Sequence, residues 1–224
     1  MKKFWWKALC VILLSYTIIY GMLSPVPLRF ILNETIRNLF YHVPMWFGMF
    51  ILFGYSFANS IKYLRTLDLK DDIKAVSYAN VGVLFSVLGM VTGMVWAKYT
   101  WGAPWSNDPK QLSAAMCMLI YFAYLILRAG MKDEEKRARL SAVYNVFAFI
   151  ISVPLVFVLP RLVDSLHPGN GGNPGFNAYD LDSHLRLIFY PAVIGWFLLG
   201  LWIAHLNIRF RKVELAIDHT AVSQ

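Results

Sequence analysis

Charge is what this chain has least of. Of its 224 residues, 15% are Asp, Glu, Lys or Arg, whereas a soluble globular domain carries about 25%. A water-facing shell cannot be drawn from so few charges, and 58% of the residues are hydrophobic. The composition is that of an all-α, polytopic integral membrane protein. Cysteine is almost missing as well. Cys10 and Cys117 each lie inside an apolar run, so neither a disulfide framework nor a thiolate metal centre is indicated. There is no phosphate-binding loop, no low-complexity segment and no polar stretch long enough for a soluble domain. Nucleotide hydrolysis is thereby excluded, and any energy input must come from a partner. The net charge of +8 would suggest nucleic acid in a soluble chain. Here the basic residues flank apolar segments, and no nucleic-acid partner is expected.

Six apolar segments are long enough to cross about 30 Å of hydrocarbon at 1.5 Å per residue. They run over about 8–23, 41–61, 76–97, 112–127, 142–159 and 185–206 of a single membrane domain, 1–224. The first follows Lys2, Lys3 and Lys7 like a signal peptide, but no clear small-x-small site follows Tyr20, so an uncleaved helix is expected. With both termini cytoplasmic, 15 of the 21 basic residues fall on the inner side, as the positive-inside bias requires. Residues 24–40, 98–111 and 160–184 are then the outer loops, on the periplasmic side of a bacterial cytoplasmic (inner) membrane. No charged residue lies deep in a span, so the usual mark of an ion relay is missing.

The outer loops hold the chemistry. Residues 101–110 read WGAPWSNDPK, in which Gly102, Pro104 and Pro109 preclude an ordinary helical turn. Trp101 and Trp105 are broad amphipathic rings held in that turn. Trp46, Trp96, Trp196 and Trp202 are accounted for by an interfacial aromatic belt. The stretch FILNETIRNLF, ending at Phe40, fits a short interfacial helix, and Pro44 is tolerable in the first turn of the next span. His42, His167 and His184 all fall on the outer side, while His205 and His219 fall on the other. A histidine at an interface is often just an amphipathic anchor. Two imidazoles from different helices could instead clamp haem iron, and three histidines could hold zinc, which also wants a close third ligand and a water. No Cys-x-x-Cys-His is present, so haem would not be attached covalently.

The loop WGAPWSNDPK, together with FYHVPMW at 40–46 and SLHPG at 165–169, resembles the tryptophan-rich haem-handling proteins of cytochrome c maturation. Over roughly residues 5–210 the chain resembles the six-span haem exporter protein C (CcmC) type. The resemblance implies non-covalent, transient binding of haem b, with His42 and His167 as axial ligands and His184 as a non-ligand. It implies haem contact by Trp101, Gly102, Trp105 and Asp108, and haem transfer rather than conventional catalysis. Asp108 is expected to order the turn through backbone N–H groups, and Lys110, Arg161 and Arg186 are the basic candidates for the haem propionates. The implied partners are a periplasmic haem chaperone, a pair of ABC-transporter subunits and a small membrane subunit. The family pattern has tryptophan where this chain has Asn107, so weaker retention is expected, with Asn107→Trp slowing haem release. Two further readings are a CcsA-type protein that delivers haem directly to apocytochrome c, and a haem-free scaffold whose outer loop docks a partner.

Overall fold

The computed structural model describes residues 4–27, 31–167 and 181–222, with backbone alone from 218 to 222. Among them are six α-helices: α1 (Trp5–Leu23), α2 (Leu39–Thr66), α3 (Leu69–Trp101), α4 (Pro109–Ala129), α5 (Glu134–Phe157) and α6 (Ser183–Val222). Five are long and apolar enough to cross a membrane. The exception, α2, carries His42, Ser56, Asn59 and Ser60, and it is packed inside the bundle against α3, α5 and α6. His42, Ser56 and Ser60 are covered by protein rather than lipid, the arrangement a bilayer enforces. Large apolar side chains such as Ile12, Ile19, Leu119, Ile126 and Phe147 point outward. On a soluble protein such a surface would aggregate; on a multi-pass membrane protein it meets hydrocarbon.

The helices begin and end where local chemistry allows. Asp68, Asp108 and Asp133 accept hydrogen bonds from the first-turn N–H groups of α3, α4 and α5, as N-caps do. Pro109 opens α4, where its missing N–H costs nothing. The apolar core of each helix was legible in hydropathy, but the helices outrun it. α3 continues to Trp101, so residues 98–101 of the expected outer loop are helical. It stops because Gly102 takes φ +84°, a left-handed conformation without penalty for glycine, and the Lys98 ammonium donates to the Gly102 carbonyl at 3.0 Å. The expected interfacial helix before α2 is a short 3-10 segment, Asn33–Asn38, and residues 28–30 lie outside the described residues. α5 ends at Phe157, and Leu159–Arg161 forms one 3-10 turn.

Pro44 is not in the first turn of α2 but inside the helix, because α2 starts at Leu39. A proline there deprives the carbonyl four residues earlier of its N–H partner. That carbonyl belongs to Phe40, and the Trp196 indole of α6 donates to it at 3.1 Å. Pro191 in α6 does the same to Leu187, whose carbonyl accepts from the Tyr16 hydroxyl of α1 at 3.3 Å. Both freed carbonyls thus tie neighbouring helices together, since no lipid group can satisfy them. At the end of the bundle remote from Trp101, Arg128 of α4 grips Asp72 of α3 with two bonds of 2.7 and 2.8 Å. Asp71 beside it is paired with Lys62 and Lys74.

Candidate functional site

At the Trp101 end of the bundle, α2, α3, α4 and the 3-10 turn after α5 enclose a cavity of ≈ 290 Å³. Its walls include His42, Trp46, Gly93, Trp96, Lys110 and His167. The two histidines expected from sequence, distant in the chain, therefore meet at one cavity.

His42 lies in the first turns of α2 and is nine-tenths buried. Its Nδ1 sits 3.0 Å from the Gly89 carbonyl and 3.3 Å from the Thr92 hydroxyl. The carbonyl can only accept, and the Thr92 proton is directed at Leu88 and Gly89. We therefore assign the proton to Nδ1, which leaves the Nε2 lone pair for a ligand. The ring fits only because α3 carries glycine beneath it. A Cβ on Gly93 would lie 2.6 Å from His42 Cε1, and one on Gly89 would lie 2.9 Å from the Trp46 indole. The Gly-x-x-x-Gly spacing at 89–93 is the sequence signal for this close approach. Gly93→Ala is expected to push the imidazole out of place. Overpacking of about 1–3 kcal/mol corresponds to roughly 5- to 150-fold weaker ligand binding, measurable by titration of the purified protein with haem.

His167 is held differently. Its Nδ1 lies 2.8 Å from Asp108 Oδ1, and Trp101 packs edge-on against its ring with centroids 4.7 Å apart. Asp108 is 4% exposed and ties α4 to the loop after α5 through three contacts. It caps α4 through the Lys110 N–H at 2.9 Å, takes the Leu166 N–H at 2.7 Å, and orients His167. Burial pushes the Asp108 carboxyl up. Hydrogen bonds from Ser165 and Leu166, the nearby His167 and the Lys110 N–H outweigh it and hold the group below its usual 3.8. The sequence reading of Asp108 as an organiser of backbone N–H groups agrees with this geometry. A carboxylate behind an imidazole fixes its tautomer and points Nε2 outward, as in many histidine–metal sites.

Burial also pushes the His167 imidazole below 6.5, with Lys110 adding to this and Asp108 opposing it. A histidine with a lowered value in the folded state is neutral, and able to ligate, at neutral pH. The unfolded chain takes up its proton first, at 6.5, so the contribution is lost as the pH falls below that value. An iron ligand at His167 is accordingly expected to leave the absorption spectrum unchanged from neutral pH down to 6.5. Ligand loss should appear only under more acid conditions. A transition above 6.5 would contradict the assignment.

The other candidates are distributed unequally. Lys110 and Arg161 are on the cavity wall. Arg186 is not on that wall, and its Nε donates to the Leu181 carbonyl at 2.8 Å. The tryptophans on the cavity wall are Trp46 and Trp96, two of the four that an aromatic belt accounts for, and each meets the His42 ring edge-on at about 6 Å. Trp101 reaches the site through His167, and the Trp105 indole donates to Asn107 Oδ1 at 2.7 Å. Asn107 itself is exposed, stands off the cavity wall and adopts φ +56°, which asparagine tolerates far better than tryptophan. Asn107→Trp would lose the Trp105 partner and add about 1–2 kcal/mol of backbone strain. Slower haem release is therefore no longer the expected outcome; haem transfer to excess apomyoglobin should be unchanged or faster. His184 lies away from the cavity beside Tyr20, with Nε2 buried and without a hydrogen-bond partner among the described residues. Residues 168–180, including the end of SLHPG, lie outside the described residues, as does the His219 side chain. Among the described residues no three His, Cys, Asp or Glu groups converge on a metal-sized site, so the third protein ligand wanted by zinc is not beside His42 and His167.

The donor set fits haem: two imidazoles with Nδ1 tied back, indoles on the wall and cations at the rim. The family described as Heme exporter protein C matches residues 1–221. The Heme exporter protein C of Bradyrhizobium diazoefficiens is 28% identical over 153 residues, covering 68% of this chain and 57% of that protein. The cytochrome c biogenesis protein CcsA of Prochlorococcus marinus subsp. pastoris is 32% identical over 144 residues, covering 63% and 46% respectively. A Synechococcus CcsA is 36% identical over 87 residues, covering 38% and 29%. The aligned part is thus less than two thirds of the length of each of these relatives. With a profile match running almost from end to end, this chain belongs to the Heme exporter protein C family.

Proposed function

We propose that this protein holds haem b, non-covalently and transiently, at the outer face of the bacterial inner membrane and hands it on for cytochrome c maturation. The observation that carries the reading is the pair of imidazoles at one cavity, each with Nδ1 bound to a fixed acceptor and Nε2 left for iron. His42 approaches from α2 and His167 from the loop after α5, so the two ligands differ in mobility. His42 is locked between helices by Gly89 and Gly93, whereas His167 depends on Asp108 and its neighbours. Haem is the cargo, and the protein supplies axial nitrogen, apolar walls from Trp46 and Trp96, and positive charge. Lys110 and Arg161 are the propionate partners; Arg186 takes that role only if its bond to Leu181 is exchanged. Trp101, Gly102 and Trp105 shape the loop around Asp108, and Asp108 positions His167. Release is then easiest through the His167 side, because a loop held by one carboxylate moves more readily than a packed helix.

The recipient in this reading is a periplasmic haem chaperone, and the ABC-transporter subunits and small membrane subunit drive or regulate the hand-over. Direct delivery to apocytochrome c is the second reading, favoured by the CcsA relatives aligned over up to 144 residues. Purified protein should bind one haem and pass it to a soluble haem chaperone. Transfer to apocytochrome c with no chaperone present would favour the second reading. Failure to bind haem at all would leave only a scaffold role.

A further inference from the structure

The Trp101 end of the bundle holds a second recess, which the site described above does not use. A groove of ≈ 550 Å³ lies between the last turn of α1, the 3-10 segment Asn33–Asn38, the start of α2 and the last turns of α3. Met22, Val95 and Tyr99 present exposed apolar surface along it. The exposed Glu34 carboxylate stands beside them, paired with Arg37 at 2.7 Å. Such a mixture of apolar, aromatic and charged groups belongs to the boundary between hydrocarbon and water. The groove therefore opens where an amphipathic molecule carried by the membrane first meets this end of the bundle.

Groove and cavity share one wall. Among the described residues, Trp96 alone lines both. On the cavity side its ring meets His42, with centroids 6.0 Å apart. On the groove side its indole N–H donates to the Thr35 hydroxyl at 3.2 Å. That hydroxyl donates in turn to the Leu32 carbonyl, so its proton is committed and a lone pair is left for Trp96. An indole has one N–H and no acceptor, so the bond to Thr35 is what fixes the ring across the gap. Once it is released, a change of rotamer turns the ring aside with no backbone movement. The frame around it is held independently. Arg37 straps the 3-10 segment to the end of α1 through the Gly21 and Ser24 carbonyls, at 2.7 and 2.8 Å. Asn38 donates to the Thr92 carbonyl of α3 at 3.0 Å.

Size gives the partition a purpose. The cavity, at ≈ 290 Å³, is at the lower limit of small-molecule sites, about 300–1,000 Å³. A macrocycle with its propionates needs a larger opening, and Trp96 is the wall that separates the cavity from a second space. We propose that the groove is the port by which haem passes from the membrane boundary to the His42–His167 cavity, with the Trp96 indole as its door and the Thr35 hydroxyl as the latch. The inference rests on the haem reading of the cavity. Thr35 is not on the cavity wall, so the latch is made whether the cavity is filled or empty. It sets the rate of passage in both directions and not the affinity.

Rates separate a port from a structural contact. Stopped-flow mixing of the purified protein with haem gives the association rate, transfer to excess apomyoglobin gives the dissociation rate, and titration gives Kd. Thr35→Val keeps the shape of the side chain and removes the acceptor. It should raise both rates together, roughly 2- to 12-fold, the scale of one hydrogen bond, and leave Kd unchanged. Thr35→Ser keeps the hydroxyl and should match wild type. In a Cys10→Ala, Cys117→Ala background, a bulky thiol label on Tyr99→Cys fills the mouth of the groove. It should slow both rates by about tenfold or more, within the one to three decades over which on-rates of one interface vary. The same label on Leu119→Cys, exposed on α4 and on neither wall, should change neither rate. Haem bound at the wild-type affinity, with rates that neither Thr35→Val nor the label at position 99 alters, would overturn the port and leave the haem reading intact. Equal slowing by the label at position 119 would also overturn the port. Failure of the wild type to bind haem would remove the haem reading and the port together.

Discussion

Replacing either His42 or His167 with alanine is expected to convert a six-coordinate, low-spin haem complex into a five-coordinate one and to stop cytochrome c assembly. Loss of an iron ligand should weaken haem binding by more than the about 10- to 100-fold typical of losing a partner behind a ligand. The two variants should differ in their repair. His42 is enclosed by α3, with Gly93 beneath its ring, so His42→Ala leaves a cavity of imidazole shape, and added imidazole should restore the low-spin spectrum. His167 sits on a loop partly held by its own bond to Asp108, so His167→Ala also loosens the loop and should be rescued less well. His184→Ala should do neither, because His184 is beside Tyr20 and away from the cavity. Equal damage from His184 and His167 would mean the wrong histidine has been assigned.

The second large effect is expected at Asp108, which is not on the cavity wall. Asp108→Ala removes the α4 cap, the acceptor for the Leu166 N–H and the acceptor for His167 Nδ1. Cap loss alone costs about 0.5–2 kcal/mol, and loss of the group behind a ligating histidine weakens metal affinity about 10- to 100-fold. Haem affinity and thermal stability should therefore fall together. Asp108→Asn keeps one carbonyl oxygen and should recover much of the stability but less of the affinity, since an amide cannot accept as many bonds. If Asp108→Ala bound haem as tightly as wild type, the carboxylate would be only a helix cap.

These two sites illustrate what the sequence could and could not reveal. His42, His167 and Asp108 were legible because each stands at a junction between apolar and polar sequence, inside a stretch that carries the family resemblance. The helices were legible through their long apolar runs. Which tryptophans face the cavity was not. Trp46 and Trp96 occur in ordinary helical sequence, and only the packing of α2 on α3 turns them inward. The loop tryptophans drew attention through unusual neighbours, yet Trp105 is occupied by Asn107. Pro44 was placed one turn too early because nothing local marks that α2 begins at Leu39. The partner of the carbonyl freed by Pro44, Trp196, comes from another helix 156 residues away. Asn107 looked like a missing stacking surface until its φ of +56° supplied a backbone reason for asparagine.

Electron paramagnetic resonance of the ferric, haem-loaded protein tests the central claim most directly, because it reads the axial ligands themselves. Wild type should show the rhombic low-spin signal of two imidazoles, and His42→Ala and His167→Ala should each replace it with a high-spin axial signal. A high-spin signal in the wild type, or a low-spin signal that survives both substitutions, would contradict ligation of haem between His42 and His167.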